Sequence, residues 1–166
     1  MRLFIGVFPP AEVLADLRGA LPSGLKLTAV EQWHVTLAFL GEVPEERLSE
    51  VERALDCVST TSSRGIGLRL AGGGRFTNGR SVALWAGVAG DLAGLSGLRA
   101  DICAGLAGHD DKPFRPHLTI AYARSGQAMA ALESYAGPMW TVDEFVLVRS
   151  RYNEGGGYDR LRSWAC

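Results

Sequence analysis

The sequence predicts an α/β chain of the α+β type, folded as two similar lobes. Three observations predict it. Short apolar or β-branched runs alternate with segments of helical period along the whole chain. A strand–helix–strand unit ending in a histidine–threonine motif occurs twice. The chain has 166 residues, 47% hydrophobic and 21% charged, which fits one domain, residues 1–166, with a real core and a solvated surface.

The elements follow in order. Residues 2–8 (RLFIGVF) form a short apolar run stopped by Pro9 and Pro10, hence a buried strand. Residues 11–20 carry Val13, Leu14 and Leu17 at helical spacing. Residues 33–40 (WHVTLAFL) are β-branched and aromatic, a strand ending at Gly41. Residues 45–58 place Leu48, Val51, Leu55 and Val58 on one helical face, with Glu45 and Glu46 where the helix dipole favours acids. Residues 66–71 read as a third strand. The run Gly72–Gly74 is expected to break the chain, and Asn78-Gly79 marks a turn. Residues 81–88 are a strand, and 91–106 a helix weakened by Gly94, Gly97 and Gly105. Strand 116–122, helix 127–135, strand 141–149 and a last strand near 158–164 complete the chain.

The halves echo each other. Phe4-Ile5-Gly6-Val7 is followed by a helix and then His34-Val35-Thr36-Leu37; Trp85-Ala86-Gly87-Val88 is followed by a helix and then His117-Leu118-Thr119-Ile120. The spacing from glycine to histidine is 28 residues in the first case and 30 in the second. Each half thus reads β-α-β-α-β, giving two pseudo-symmetric lobes with their seam expected near residues 72–80.

The repeated motif carries the chemistry. Residues i and i+2 of a strand share a face, so His34 lies beside Thr36 and His117 beside Thr119, while the residues between them point into core. One such histidine alone reads as a hydrogen-bonded structural residue. Two of three histidines carrying threonine at i+2 is a chance outcome on the order of half a percent, and the pairs sit on echoing strands, which favours a shared site. Opening a cyclic phosphodiester with water needs a base for the water and an acid for the departing oxygen. Two imidazoles, one neutral and one protonated, supply both near neutral pH. Threonine hydroxyls beside them can hold the non-bridging oxygens. The scheme uses no metal or cofactor, and the sequence contains no evident metal cluster.

With these motifs the chain resembles the 2H phosphoesterase superfamily, in its bacterial and archaeal RNA 2',3'-cyclic phosphodiesterase branch, once called 2'-5' RNA ligases. The matching stretches are RLFIGVFPP, WHVTLAFLGEV, LRLAGGGRFTNGRSVALWAGV and FRPHLTIAYAR, spread over nearly the whole chain. The resemblance implies a bilobal fold with both motifs facing one central cleft. It also implies hydrolysis of a terminal 2',3'-cyclic phosphate to a 2'-phosphate. Carried onto this chain, His34 is the acid for the leaving 3' oxygen, His117 the base for water, and Thr36 and Thr119 the phosphate ligands. Pseudo-symmetry leaves the division of roles open. The family often places Arg five residues after the second histidine; here that residue is Tyr122, which makes Arg124 and Arg115 the substitute candidates for the phosphate. Arg149 and Arg151 are weaker ones.

The remaining features narrow the class. A formal charge of -1 disfavours a broad nucleic-acid-coating face and leaves room for a pocket that reads an RNA end. Cys57, Cys103 and Cys166 are odd in number and scattered, which points to a reducing cytoplasm. The first strand is too short for a membrane or signal segment, and nothing suggests an obligate partner, so a monomer is expected. His109 reads as a surface residue, Gly155–Gly157 as a turn near the cleft, and Trp33 and Tyr152 as core or rim residues that could stack a base. Four other readings stay open: 2'-5' RNA end joining by the same histidines, the same chemistry on a small cyclic nucleotide or another 2',5'-linked substrate, a non-catalytic RNA-end-binding module, and a scaffold with two structural histidines.

Overall fold

A computed structural model describes residues 1–58, 64–109 and 112–166. Strand β1 (Arg2–Val7) is buried from Leu3 onward because it is paired on both sides, which is why its sequence is continuously apolar. Pro10 opens helix α1 (Ala11–Ala20), whose Val13, Leu14 and Leu17 are buried. Strand β2 (Val35–Glu42) lies antiparallel to β1. The expected helix 45–58 divides into a 3-10 turn, Glu45–Arg47, and helix α2 (Leu48–Asp56). Its last turn tightens, with the Cys57 and Val58 amides donating to carbonyls three residues back at 3.2 and 3.1 Å.

Strand β3 (Gly67–Asn78) runs through the glycine run that was expected to end it. The register passes from Leu70 opposite Val88 to Gly73 opposite Ala86, so Ala71 and Gly72 form a bulge against Gly87. Gly72 takes φ +66, and its amide donates to the Tyr135 carbonyl at 2.8 Å. The next two glycines are there for space. A Cβ on Gly73 would meet Leu132 Cβ at 2.7 Å, and one on Gly74 would meet the Trp85 ring at 2.5 Å. The turn at Gly79 (φ +60) and Arg80 then joins β3 to β4 (Ser81–Gly90). Glycine with positive φ followed by a residue without it is the type II' hairpin pattern.

Helix α3 (Leu92–Ala104) starts at Asp91, whose carboxylate accepts the Gly94 amide at 2.8 Å. Strand β5 (His117–Ala121) pairs with β4. Helix α4 (Gly126–Glu133), capped by Ser125, packs its Leu132 on β3. The expected strand 141–149 is two strands. Strand β6 (Trp140–Thr141) pairs with β3, and β7 (Glu144–Ser150) pairs with β1. Strand β8 (Tyr158–Ala165) closes the chain beside β7.

Two four-stranded antiparallel sheets result, in the orders β2-β1-β7-β8 and β5-β4-β3-β6. They correspond strand for strand: β1 with β4, β2 with β5. The seam expected near residues 72–80 does not divide the sheets, because that segment is the β3–β4 hairpin within the second one. The third strand of the first half joins the second sheet, and the C-terminal strands return to the first. The physical reason is β7. Its FVLV run is buried throughout and needs a partner on each side, and the open edge of β1 provides one of them. One continuous hydrophobic core takes side chains from both sheets, including Leu3, Ile5 and Leu147 from the first and Leu68, Leu84 and Ile120 from the second. Among the described residues no helix is long and apolar enough to cross a membrane, and Cys57, Cys103 and Cys166 form no disulfide.

Candidate active site

Both motifs lie at the start of an outer strand. His34 immediately precedes β2 and His117 opens β5. His34 is anchored by its neighbour: Trp33 is 1% exposed, and its indole N–H donates to Thr28 Oγ1 at 2.9 Å. Thr28 in turn donates its hydroxyl to the Ile120 carbonyl at 3.0 Å and its amide to the same oxygen at 2.8 Å. Trp33 is therefore a core residue, not a stacking surface. The Trp33–Thr28–Ile120 chain ties the residue before His34 to the residue after Thr119.

The two histidines share a local frame. His34 Nδ1 donates to the Gln32 carbonyl at 2.6 Å, and His117 Nδ1 donates to the Arg115 carbonyl at 2.7 Å. A carbonyl can only accept, so each Nδ1 carries a proton and each Nε2 is left for chemistry. His34 Nε2 lies 3.0 Å from Thr36 Oγ1. His34, Thr36, His117 and Thr119 line one cleft of about 300 Å³.

Their surroundings differ. The His34 ring stacks on Phe4 at 4.6 Å and contacts the Tyr158 and Phe8 rings at 5.3 and 5.4 Å. Burial holds its pKa below the ordinary imidazole value; the Gln32 carbonyl opposes this, and the His117 and Arg160 charges add to it. His34 is thus predominantly neutral near pH 7. The His117 ring is T-shaped to Phe76, with centres 4.9 Å apart, and tilted to Trp85, with centres 5.9 Å apart.

The arginine candidates fare unequally. Arg115 is exposed and lines a groove that adjoins the cleft at His117. Arg124 is not among the residues lining the cleft, because β5 ends at Ala121 and the chain bends away, so the alternation that would align position 124 stops. Arg149 is held by a two-point ion pair with Glu154 at 2.7 and 2.8 Å, and Arg151 pairs with Asp159 at 3.3 Å. Gly155–Gly157 form a plain turn closed by Arg151. His109 is half-buried, bonded to the Leu106 carbonyl outside the cleft.

Among the described residues the arginine that does line the cleft is Arg2, which the sequence reading missed. Its guanidinium lies 5.0 Å from the Phe39 ring centre and 5.3 Å from that of Tyr152. The signal was present in the alternation of β1: Arg2 and Phe4 share the face opposite Leu3 and Ile5. Tyr122 and Tyr152 also line the cleft, 69% and 73% exposed.

A family model described as the 2'-5' RNA ligase superfamily matches residues 7–154. The chain belongs to the 2'-5' RNA ligase superfamily. Within it, the chain is 37% identical to an RNA 2',3'-cyclic phosphodiesterase of Thermus thermophilus over 171 residues, covering 94% of this chain and 85% of the relative. The crystal structure of TT0787 from Thermus thermophilus superposes with a TM-score of 0.75 at 30% identity, covering 99% and 97% of the two chains. Escherichia coli LigT complexed with ATP gives a TM-score of 0.75 at 27% identity over 99% and 96% of the chains. LigT complexed with 3'-AMP gives 0.70 at 26% over 99% and 96%.

Proposed function

We propose that the chain is an RNA 2',3'-cyclic phosphodiesterase that hydrolyses a terminal cyclic phosphate to a 2'-phosphate by metal-independent two-histidine catalysis. The observation that carries the reading is the doubled frame: two imidazoles, each with Nδ1–H on the carbonyl two residues back, presenting Nε2 to one cleft that also holds Thr36 and Thr119. The names of the curated relatives and the nucleotides bound by LigT support the substrate class.

In this mechanism His117 Nε2 takes a proton from water as its oxygen bonds to phosphorus. The bond from phosphorus to the 3' oxygen breaks, and His34 Nε2–H gives that oxygen its proton. The phosphate stays on the 2' oxygen. Thr36 and Thr119 donate to the non-bridging oxygens, whose charge grows in the transition state. The free protein holds His34 neutral, so the acid is charged on binding: an anionic phosphodiester beside the imidazole raises its pKa.

The test is turnover of a short RNA ending in a 2',3'-cyclic phosphate, with EDTA present. Wild type is compared with folded His34→Ala and His117→Ala, and the product isomer is identified. A 2'-phosphate product, with each variant slower by about 10²–10⁴-fold, is the expected result. A 3'-phosphate product would reverse the leaving-group assignment. Binding of the RNA end without turnover would make the chain a binding module.

A further inference from the structure

The first sheet carries a row of hydrogen-bond donors that the mechanism above leaves unused. Arg2 of β1 lies opposite Ser150 of β7, and Ser150 lies opposite Tyr158 of β8. Residues paired in this way share a face of the sheet, and all three line the cleft. None of their side chains hydrogen-bonds or ion-pairs with another described residue. The carboxylate beside the row, Glu42 opposite Arg2 on β2, sits 3.6 Å from the Met1 amino group instead.

The second sheet has no such row. The echo of Phe4-Ile5-Gly6-Val7 in Trp85-Ala86-Gly87-Val88 sets Ala83 where the first sheet has Arg2. Phe76 stands opposite Ala83, as Ser150 stands opposite Arg2. The donors are therefore one-sided, on the side of His34. Tyr158 shows the difference best. Its ring is T-shaped to His34 with centres 5.3 Å apart, as that of Phe76 is to His117 at 4.9 Å. A phenyl ring serves that packing at His117, so packing does not account for the hydroxyl at His34. The phenol is half-buried, and burial raises its pKa above the ordinary tyrosine value; Tyr122, which follows β5 of the second sheet, adds to this, and Arg2 opposes it. The hydroxyl thus keeps its proton near neutral pH, within electrostatic reach of groups from both sheets.

We propose that Tyr158 is a further catalytic residue, whose hydroxyl donates to a non-bridging phosphate oxygen on the His34 side, with Arg2 of the same row supplying positive charge. The proposal rests on the functional reading above and adds a third hydroxyl donor to those of Thr36 and Thr119. A guanidinium is charged at every working pH, so the row holds the anion whichever histidine carries the proton. The bond from the Tyr158 hydroxyl strengthens as charge grows on that oxygen in the transition state.

The experiment compares wild type, Tyr158→Phe and Arg2→Met. It reads affinity for a nucleoside 2'-phosphate by calorimetry, turnover of a short RNA ending in a 2',3'-cyclic phosphate, and melting temperature. Tyr158→Phe keeps the ring and removes only a hydroxyl that holds no described protein group, so its melting temperature stays at the wild-type value. Its affinity for the nucleotide falls by about tenfold or more, the size of one lost hydrogen bond to a charged group. Its kcat falls by about a hundredfold, as for one lost donor to a transition-state oxyanion. Arg2→Met also weakens nucleotide binding by about tenfold or more. Equal nucleotide affinity in wild type and Tyr158→Phe, or a loss of affinity that comes with a lowered melting temperature, would overturn the proposal. Absence of turnover in wild type would remove the functional reading, while the nucleotide affinities still decide for or against Tyr158.

Discussion

Thr28→Val tests whether the chain from Trp33 to Ile120 sets the geometry of the cleft. Valine keeps the shape of threonine and removes one hydroxyl. Two hydrogen bonds go with it, the indole N–H to Thr28 Oγ1 at 2.9 Å and the hydroxyl to the Ile120 carbonyl at 3.0 Å. The backbone bond from the Thr28 amide to that carbonyl remains, so the carbonyl keeps a partner. The indole does not: Trp33 is 1% exposed, and its N–H is left buried and unpaired. That cost is about 1–3 kcal/mol. At roughly 2–4 °C per kcal/mol for a chain of this size, the melting temperature should fall by about 2–12 °C. Activity should fall further than stability requires, because Trp33 precedes His34 and Ile120 follows Thr119. A displacement of one ångström between reacting groups costs about a hundredfold in rate. Measured well below the melting temperature, kcat should drop by at least roughly tenfold while KM changes little, and Thr28→Ser should recover most of both losses. Wild-type stability in Thr28→Val would refute the hydrogen-bond accounting. The expected destabilisation with unchanged kcat would mean that the chain of bonds holds the fold without governing the site.

Other perturbations follow from the same geometry. The His34 pKa is lower in the folded than in the unfolded protein, so the unfolded chain takes up its proton first as pH falls, and stability from this group drops between about pH 6.5 and the folded value. Replacing His34 with Gln should shrink the difference in melting temperature between about pH 7.5 and pH 5, read by calorimetry; an unchanged difference would argue against a buried neutral imidazole. Gly74→Ala drives a methyl into the Trp85 ring and should cost about 1–3 kcal/mol, with a changed near-ultraviolet circular dichroism band from the displaced indole. Asp91→Ala removes the carboxylate that caps α3 and should cost about 1 kcal/mol in urea denaturation, with Asp91→Asn retaining most of it.

Local patterns in the sequence located the elements, and pairing decided where they went. The helix at 11–20 was legible to the residue because Pro10 and the spacing of Val13, Leu14 and Leu17 are local signals. The His34, Thr36, His117 and Thr119 set was legible because a two-residue period on a strand fixes a common face, and the structure gathers all four into one cleft. The seam was not, since Gly72–Gly74 reads as a break unless one knows that Leu132 and Trp85 press against it. Nor was the split of residues 140–150 between two sheets, because Val142 and Asp143 look no different from strand residues and only the open edge of β1 draws β7 away. Arg124 lies outside the cleft lining for a related reason: the alternation argument extended a strand past Ala121, where the backbone turns.

Two matching sheets give two similarly framed histidines, and the proposed acid–base chemistry needs them unequal. The equal part is backbone. In both motifs the carbonyl two residues back takes Nδ1–H, which selects the same tautomer and aims the same nitrogen. The unequal part is supplied by side chains outside the motifs. Phe4, Phe8 and Tyr158 surround His34, and Arg160 adds a positive charge, so a proton there is disfavoured until an anion arrives. The His117 charge disfavours it as well, so the empty cleft resists holding two protons at once. A phosphodiester between the rings removes that resistance. In the proposed mechanism the proton for the leaving oxygen is therefore stabilised by the substrate that receives it, because burial among aromatic rings disfavours a charged imidazole that has no anion beside it.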